Sequence, residues 1–153
     1  MSTRVILVRH DCEESWQYMP RVLQRIADFC AHYSPEEDGA QLAEVCKIQF
    51  LHPQPTFRIY AAIRDDVVVG HALVSVSEWL GSRWVTIHQY ETDETLPVDV
   101  VRTHRDEIES WARSVGATEV RAIVASEGRV RAFGRFYGLK PWRMLLRREL
   151  GVA

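Results

Sequence analysis

Residues 4–9 (Arg4, Val5, Ile6, Leu7, Val8, Arg9) form a short β-branched, apolar run bounded by charges, the pattern of a short buried strand. Downstream, Leu23, Ile26, Ala27 and Cys30 recur at spacings of three and four, placing them on one face of a helix over 14–33. Ser34-Pro35-Glu36-Glu37 offers an N-cap residue, a proline for the first turn and acids near the positive helix end. A second helix is therefore predicted from about 35 to 50, with Leu42, Val45, Cys46 and Phe50 inward, stopped by His52-Pro53-Gln54-Pro55.

The period then changes. Phe57 to Ile63 and Val67 to Val76 flank Arg64-Asp65-Asp66, which predicts a hairpin with a tight acidic turn. A third run, Arg83 to Tyr90, follows a turn at Gly81-Ser82; strict alternation puts Val85, Ile87 and Gln89 on one face and Trp84, Thr86, His88 and Tyr90 on the other. Val101, His104, Ile108, Trp111 and Val115 make an apolar stripe at helical spacing that ends at Gly116, a residue suited to a left-handed C-terminal cap. Glu119 to Ala125 is strand-like, Gly128 to Phe136 fits a short helix, and Trp142 to Leu146 is apolar and extended. The predicted order is strand, two helices, three strands, helix, strand, helix, strand.

At 153 residues, 46% hydrophobic and 26% charged, residues 1–153 read as one compact domain with a sizeable core. The apolar runs are too short for a spanning helix and the N-terminus lacks a signal-peptide pattern, so a cytoplasmic protein without membrane attachment is expected. Cys12, Cys30 and Cys46 are odd in number and lack C-x-x-C spacing, which points to reduced, packed thiols; no metal site is expected. The net charge of −2 divides unevenly: residues 61–118 carry 5 basic and 10 acidic groups, residues 119–153 carry 8 and 3.

The order of elements and two local words resemble the GNAT superfamily, the acyl-CoA N-acyltransferase fold. Trp111-Ala112-Arg113-Ser114-Val115-Gly116-Ala117 looks like the end of that family's third helix, and Ala132 to Pro141 looks like its terminal "A-x-Y-x-x-x-G-F-x-P" segment. The resemblance implies an α/β (α+β) fold: a mixed, mostly antiparallel sheet of about six strands with helices on both faces. It also implies acetyl-CoA as the acyl donor and an amine as acceptor.

Two of the family's features are altered. Its pyrophosphate loop, [Q/R]-x-x-G-x-[G/A], falls by ungapped counting on Leu96, Pro97, Val98, Asp99, Val100 and Val101, so neither glycine is present. Pro97 removes an N–H donor, branched Cβ groups line the helix start, and Asp99 adds negative charge where an anion should sit. The general-acid tyrosine position is Gly134, and Tyr137, a weaker candidate, lies about 60° away around a helix. Coenzyme binding is accordingly expected to be weak or absent. General bases are available on the fourth strand, Glu91 first and His88 second. Arg129, Arg131 and Arg135 could meet coenzyme phosphates as guanidinium forks. His104, on the apolar stripe, reads as a satisfied core histidine.

Other readings compete. One is a GNAT fold without catalysis, serving as a structural or interaction component, for example in a phage particle, with a protein partner or a further copy of itself. Leu7-Val8-Arg9-His10 looks like the "L-V-R-H-G" word of histidine phosphatases, but Asp11 stands at the glycine. Arginines interleaved with Phe133, Phe136, Tyr137 and Trp142 could bind nucleic acid, yet periodicity already assigns most of those aromatics to the core.

Overall fold

A computed structural model describes residues 3–93 and 98–123. In chain order the elements are β1 (Thr3–Leu7), α1 (Ser15–Tyr33), α2 (Gly39–Leu51), β2 (Phe57–Arg64), β3 (Val67–Trp79), β4 (Ser82–Thr92), α3 (Val98–Ser114) and β5 (Glu119–Ala122). The strands lie side by side in sequence order; β1 to β4 pair antiparallel, and β5 joins β4 in parallel through the α3 crossover. This is the predicted mixed sheet, with five strands among the described residues. The helix expected over 128–136 and the strand expected over 142–146 lie outside them.

Pleating splits the sheet's side chains between two cores. Ile6, Val8, Ile59, Ala61, Ile63 and Leu73 pack with Tyr18, Val22, Ile26, Cys46 and Phe50 of α1 and α2. On the other face Tyr60, Ala72, Val74, Val85, Ile87 and Tyr90 pack with Val101, Ile108, Trp111 and Ala112 of α3. The stripe read on α3 is therefore its buried face, and Gly116, at φ 77, ends the helix in the left-handed conformation expected of it.

The hairpin turns obey the twist of the strands. Asp65 and Asp66 both take positive φ, 50 and 60, and Leu80-Gly81 does the same at 48 and 83. Positive φ at both central residues matches a right-twisted hairpin. Aspartate tolerates the left-handed region; Leu80, 89% exposed, takes it without burying its side chain.

Val45, expected inward on α2, is instead 47% exposed, and further details of both helices differ from the sequence reading. α2 begins at Gly39, later than Ser34-Pro35 suggested, because the Asp38 carboxylate accepts from the Gln41 N–H at 3.0 Å and is the stronger cap. On α1 the buried face includes Tyr18, Val22, Arg25 and Phe29 beside the predicted Ile26 and Cys30, and Pro20 sits inside the helix. Arg25 escaped notice because a lone arginine reads as solvent-facing.

Candidate active site

The alternation predicted along β4 breaks at one residue. Leu73 pairs with Gln89 and Val74 with Ile87, so His88 is an extra residue, a β-bulge. Beyond it the faces exchange: Gln89 turns to the α1 side and Tyr90 joins Val85 and Ile87 in the α3 core. The strict period therefore assigned Gln89 and Tyr90 to the wrong faces, since one inserted residue inverts every side chain after it. β5 ends opposite Ile87, where the Ile123 N–H still donates to the Ile87 carbonyl at 3.3 Å. Past that point the outer edge of β4 has no strand partner among the described residues.

At the bulge His88 lies on the exposed side with its Nε2 2.6 Å from Ser75 Oγ of β3. Partial desolvation lowers the imidazole below its ordinary 6.5, against an opposing pull from the Glu37 carboxylate. His88 is thus the neutral, proton-accepting form at neutral pH. Its neighbour Gln89 is buried: its Oε1 is 2.9 Å from His71 Nε2, and its amide donates to the Ile26 carbonyl and to Cys30 Sγ, each at 3.3 Å. The Cys30 thiol reaches Glu37 at 3.7 Å and is raised above its usual value, first by burial and then by Glu37. Cys46 is pushed up to about 12, chiefly by burial, so neither buried thiol is a ready nucleophile.

Glu91, the first base nominated, lies two residues past Gln89 with its carboxylate engaged. Arg25 Nη2 is 3.3 Å from Glu91 Oε1, and Arg25 Nη1 is 3.1 Å from Asp93 Oδ1. Arg25 is 5% exposed, and among the described residues its Nε has no hydrogen-bond partner. The fold therefore brings His88 and Glu91 to one face of β4, but gives them different surroundings: a hydroxyl for one, a buried cation for the other.

His104 is a core residue, as expected, but not a satisfied one. It is fully buried on α3 between Tyr60 and Tyr90, whose ring centroids lie 6.3 and 5.1 Å away, and neither ring nitrogen has a hydrogen-bond partner among the described residues. Burial, with a smaller contribution from His71, lowers its pKa to about 3. The unfolded chain binds a proton at His104 below about pH 6.5, and the folded chain does so only near pH 3. This residue therefore removes stability progressively as pH falls between those values. His104→Leu should raise the unfolding free energy by about 1–3 kcal/mol at pH 7.5, since an apolar side chain of similar size has no orphaned nitrogens. At pH 5 the gap between variant and wild type should widen by about 2 kcal/mol. Urea unfolding at both pH values checks this, and a gap that stays constant rules out His104 as the titrating group.

At the start of α3, Val100 and Val101 are buried, 7% and 8% exposed, with Val101 in the α3 core. Both are buried, and the Asp99 side chain, like residues 94–97, lies outside the described part of the molecule. Leu96 and Pro97 lie outside the described residues, as do Gly134, Tyr137, Arg129, Arg131 and Arg135. Arg9 of the phosphatase-like word donates to Asp11, two residues on, at 2.6 Å and so already carries an anion. Among the described residues no group of three or more His, Cys, Asp or Glu gathers as a metal site, and no helix is long and apolar enough to cross a membrane.

No family model matches the sequence, and no curated protein matches it. Solved structures do match, over nearly the whole chain. A probable acetyltransferase superposes with a TM-score of 0.71 at 11% identity, covering 98% of each chain. A putative acetyl transferase from Pyrococcus furiosus gives 0.67 at 13% identity, covering 97% of this chain and all of the other. An aminoglycoside antibiotic 6'-N-acetyltransferase from Acinetobacter baumannii gives 0.69 at 12% identity, covering 99% of this chain and all of that one.

Proposed function

The chain has the GNAT fold, and on that premise we propose that it is an acyl-CoA-dependent N-acyltransferase acting on an amine, with His88 as general base. The observation that carries this reading is the break in β4. The bulge presents a neutral imidazole just past the point where the strand's outer edge has its last strand partner among the described residues. An unpaired strand edge can bind an extended, amide-bearing arm by backbone hydrogen bonds, and the pantetheine arm of coenzyme A is such a group. A helix start such as that of α3 can receive a pyrophosphate through its N–H groups and partial positive charge, although here without the glycines that permit close approach and with Asp99 in the first turn.

Acyl-CoA would supply the activated thioester carbonyl. The chain's own part is to make the acceptor nucleophilic: His88 takes a proton from the ammonium or from the attacking amine. A base with a pKa below 6.5 is unprotonated at neutral pH and requires no prior deprotonation. Of the two nominated bases the surroundings favour His88, because Glu91 is committed to Arg25. The aminoglycoside acetyltransferase among the structural neighbours makes aminoglycosides suitable probe amines.

Titration calorimetry with acetyl-CoA at low and physiological salt tests the reading. A weak, saturable isotherm is expected, with a dissociation constant on the order of 0.1 mM, or roughly 5 kcal/mol. Arg129→Ala and Arg131→Ala should weaken it further if guanidinium forks replace the missing loop donors. Absence of binding at millimolar acetyl-CoA overturns the enzymatic reading. It would favour a non-catalytic interaction protein, for which one observation speaks: Val45, Ile48 and Leu51 stand exposed at helical spacing on α2.

A further inference from the structure

We propose that Ser75 is a positioning residue for His88: its hydroxyl oxygen accepts a hydrogen bond from Nε2–H, fixing the imidazole in one rotamer and one tautomer with the Nδ1 lone pair directed to the acceptor. This rests on the reading of His88 as general base. The contact, at 2.6 Å, joins adjacent strands, and it exists because of the bulge. Ser75 pairs with Thr86, and His88 is the residue inserted after Ile87, so hydroxyl and imidazole rise from the same face of the sheet.

Neither side chain has another polar side-chain partner among the described residues, so each is the other's orienting hydrogen bond. An exposed histidine without such a contact samples several rotamers, and a base held in one is already placed for proton transfer. The direction of the hydrogen bond follows from the role. A hydroxyl donating to Nε2 would occupy one lone pair and put the proton on Nδ1, leaving no acceptor for the amine proton. With Nε2–H donating, Nδ1 accepts the proton, and the resulting imidazolium donates more strongly to Ser75.

Other charged or titratable groups near this face have partners of their own or a separate influence on the ring. Glu37, from the segment between α1 and α2, raises the imidazole's proton affinity. His71 of β3 is bonded to Gln89, Cys30 of α1 lies against Gln89 and Glu37, and Glu91 is paired with Arg25. Arg121 of β5 lies over the Trp84 ring at 3.9 Å and bonds Glu119 at 3.0 Å. Among the described residues Ser75 is the side chain hydrogen-bonded to His88, so its effect on the ring is separable from theirs.

Side-chain nitrogen NMR of the protein without acetyl-CoA tests the contact independently of catalysis. His88 should carry its proton on Nε2. Ser75→Ala should lower the midpoint of its titration, because the hydrogen bond favours the charged form. Ser75→Thr, which keeps the hydroxyl, should restore it. With an amine substrate, Ser75→Ala should reduce kcat roughly tenfold with KM little changed, and shift the acid limb of the pH profile with the NMR midpoint. A proton on Nδ1 in the wild type, a titration unmoved in Ser75→Ala, or an acetyl group found on Ser75 by mass spectrometry would each overturn the proposal. If Ser75→Ala fails to fold, the wild-type tautomer and the Ser75→Thr titration still decide. Failure of acetyl-CoA binding in calorimetry would instead remove the parent reading while leaving the NMR result intact.

Discussion

Exchanging Glu91 and Asp93 together for Gln and Asn should lower the unfolding free energy by roughly 3–5 kcal/mol, the range for stripping a buried charge of its counter-ions. Arg25 is buried on α1 with its Nη atoms on these two carboxylates and its Nε already without a partner. The amides could still accept hydrogen bonds, but the guanidinium would have lost the negative charge that offsets its desolvation. For a chain of this length the melting temperature should fall by about 6–20 °C. Glu91→Gln alone should cost less, because Asp93 keeps one charge on the fork. Arg25→Met should also cost less than the double exchange. It removes the buried charge itself and leaves two carboxylates that are 31% and 49% exposed and can rehydrate. Thermal unfolding of the three variants checks the order; a double variant within 2 °C of wild type shows that the pairing contributes nothing.

The same geometry determines how a loss of activity at Glu91 is to be read. A Glu91→Gln variant that is inactive because β4 is no longer tied to α1 will also melt early, whereas loss of a base leaves stability intact. His88 offers the clean comparison. His88→Gln should reduce kcat/KM by about 10²–10⁴-fold, the usual contribution of a positioned base, with the melting temperature nearly unchanged because the side chain is exposed. Release of the coenzyme thiol with a panel of primary amines is the assay. In the wild type, activity should rise with pH through a midpoint below 6.5 and then level, because the group that must be unprotonated has a lowered pKa. The variant should lack that limb. Turnover that is unaltered in His88→Gln, with the limb still present, excludes His88 and returns Glu91 to first place.

These two expectations show where reading by period works and where it stops. Alternation found β2, β3 and β4, and the three-four spacing found α1 and α3, because those residues are buried on one face and exposure of that face would cost most of the folding energy. It could not find the bulge. An inserted residue leaves no mark in composition, and the assignment of Gln89 and Tyr90 failed for that reason alone. The place of His88 and Glu91 on the fourth strand marks both as bases in the sequence itself. Nothing in the sequence marks Ser75 or Arg25, since one looks like any strand serine and the other like any surface arginine.

By itself, then, the sequence determined the order of the elements, the two apolar faces of the sheet, the turns at Asp65-Asp66 and Gly116 and the GNAT resemblance. All of these are local patterns repeated often enough for burial to enforce them. Only the tertiary structure decided the partners. Arg25 meets Glu91 from 66 residues away, His88 meets Ser75 across a hairpin, and His104 is enclosed by tyrosines from two strands with no partner for its nitrogens. Whether a polar side chain is a base, a counter-ion or a stability cost depends on what lies within about 3 Å of it, and contacts between distant segments are fixed by the register of the sheet.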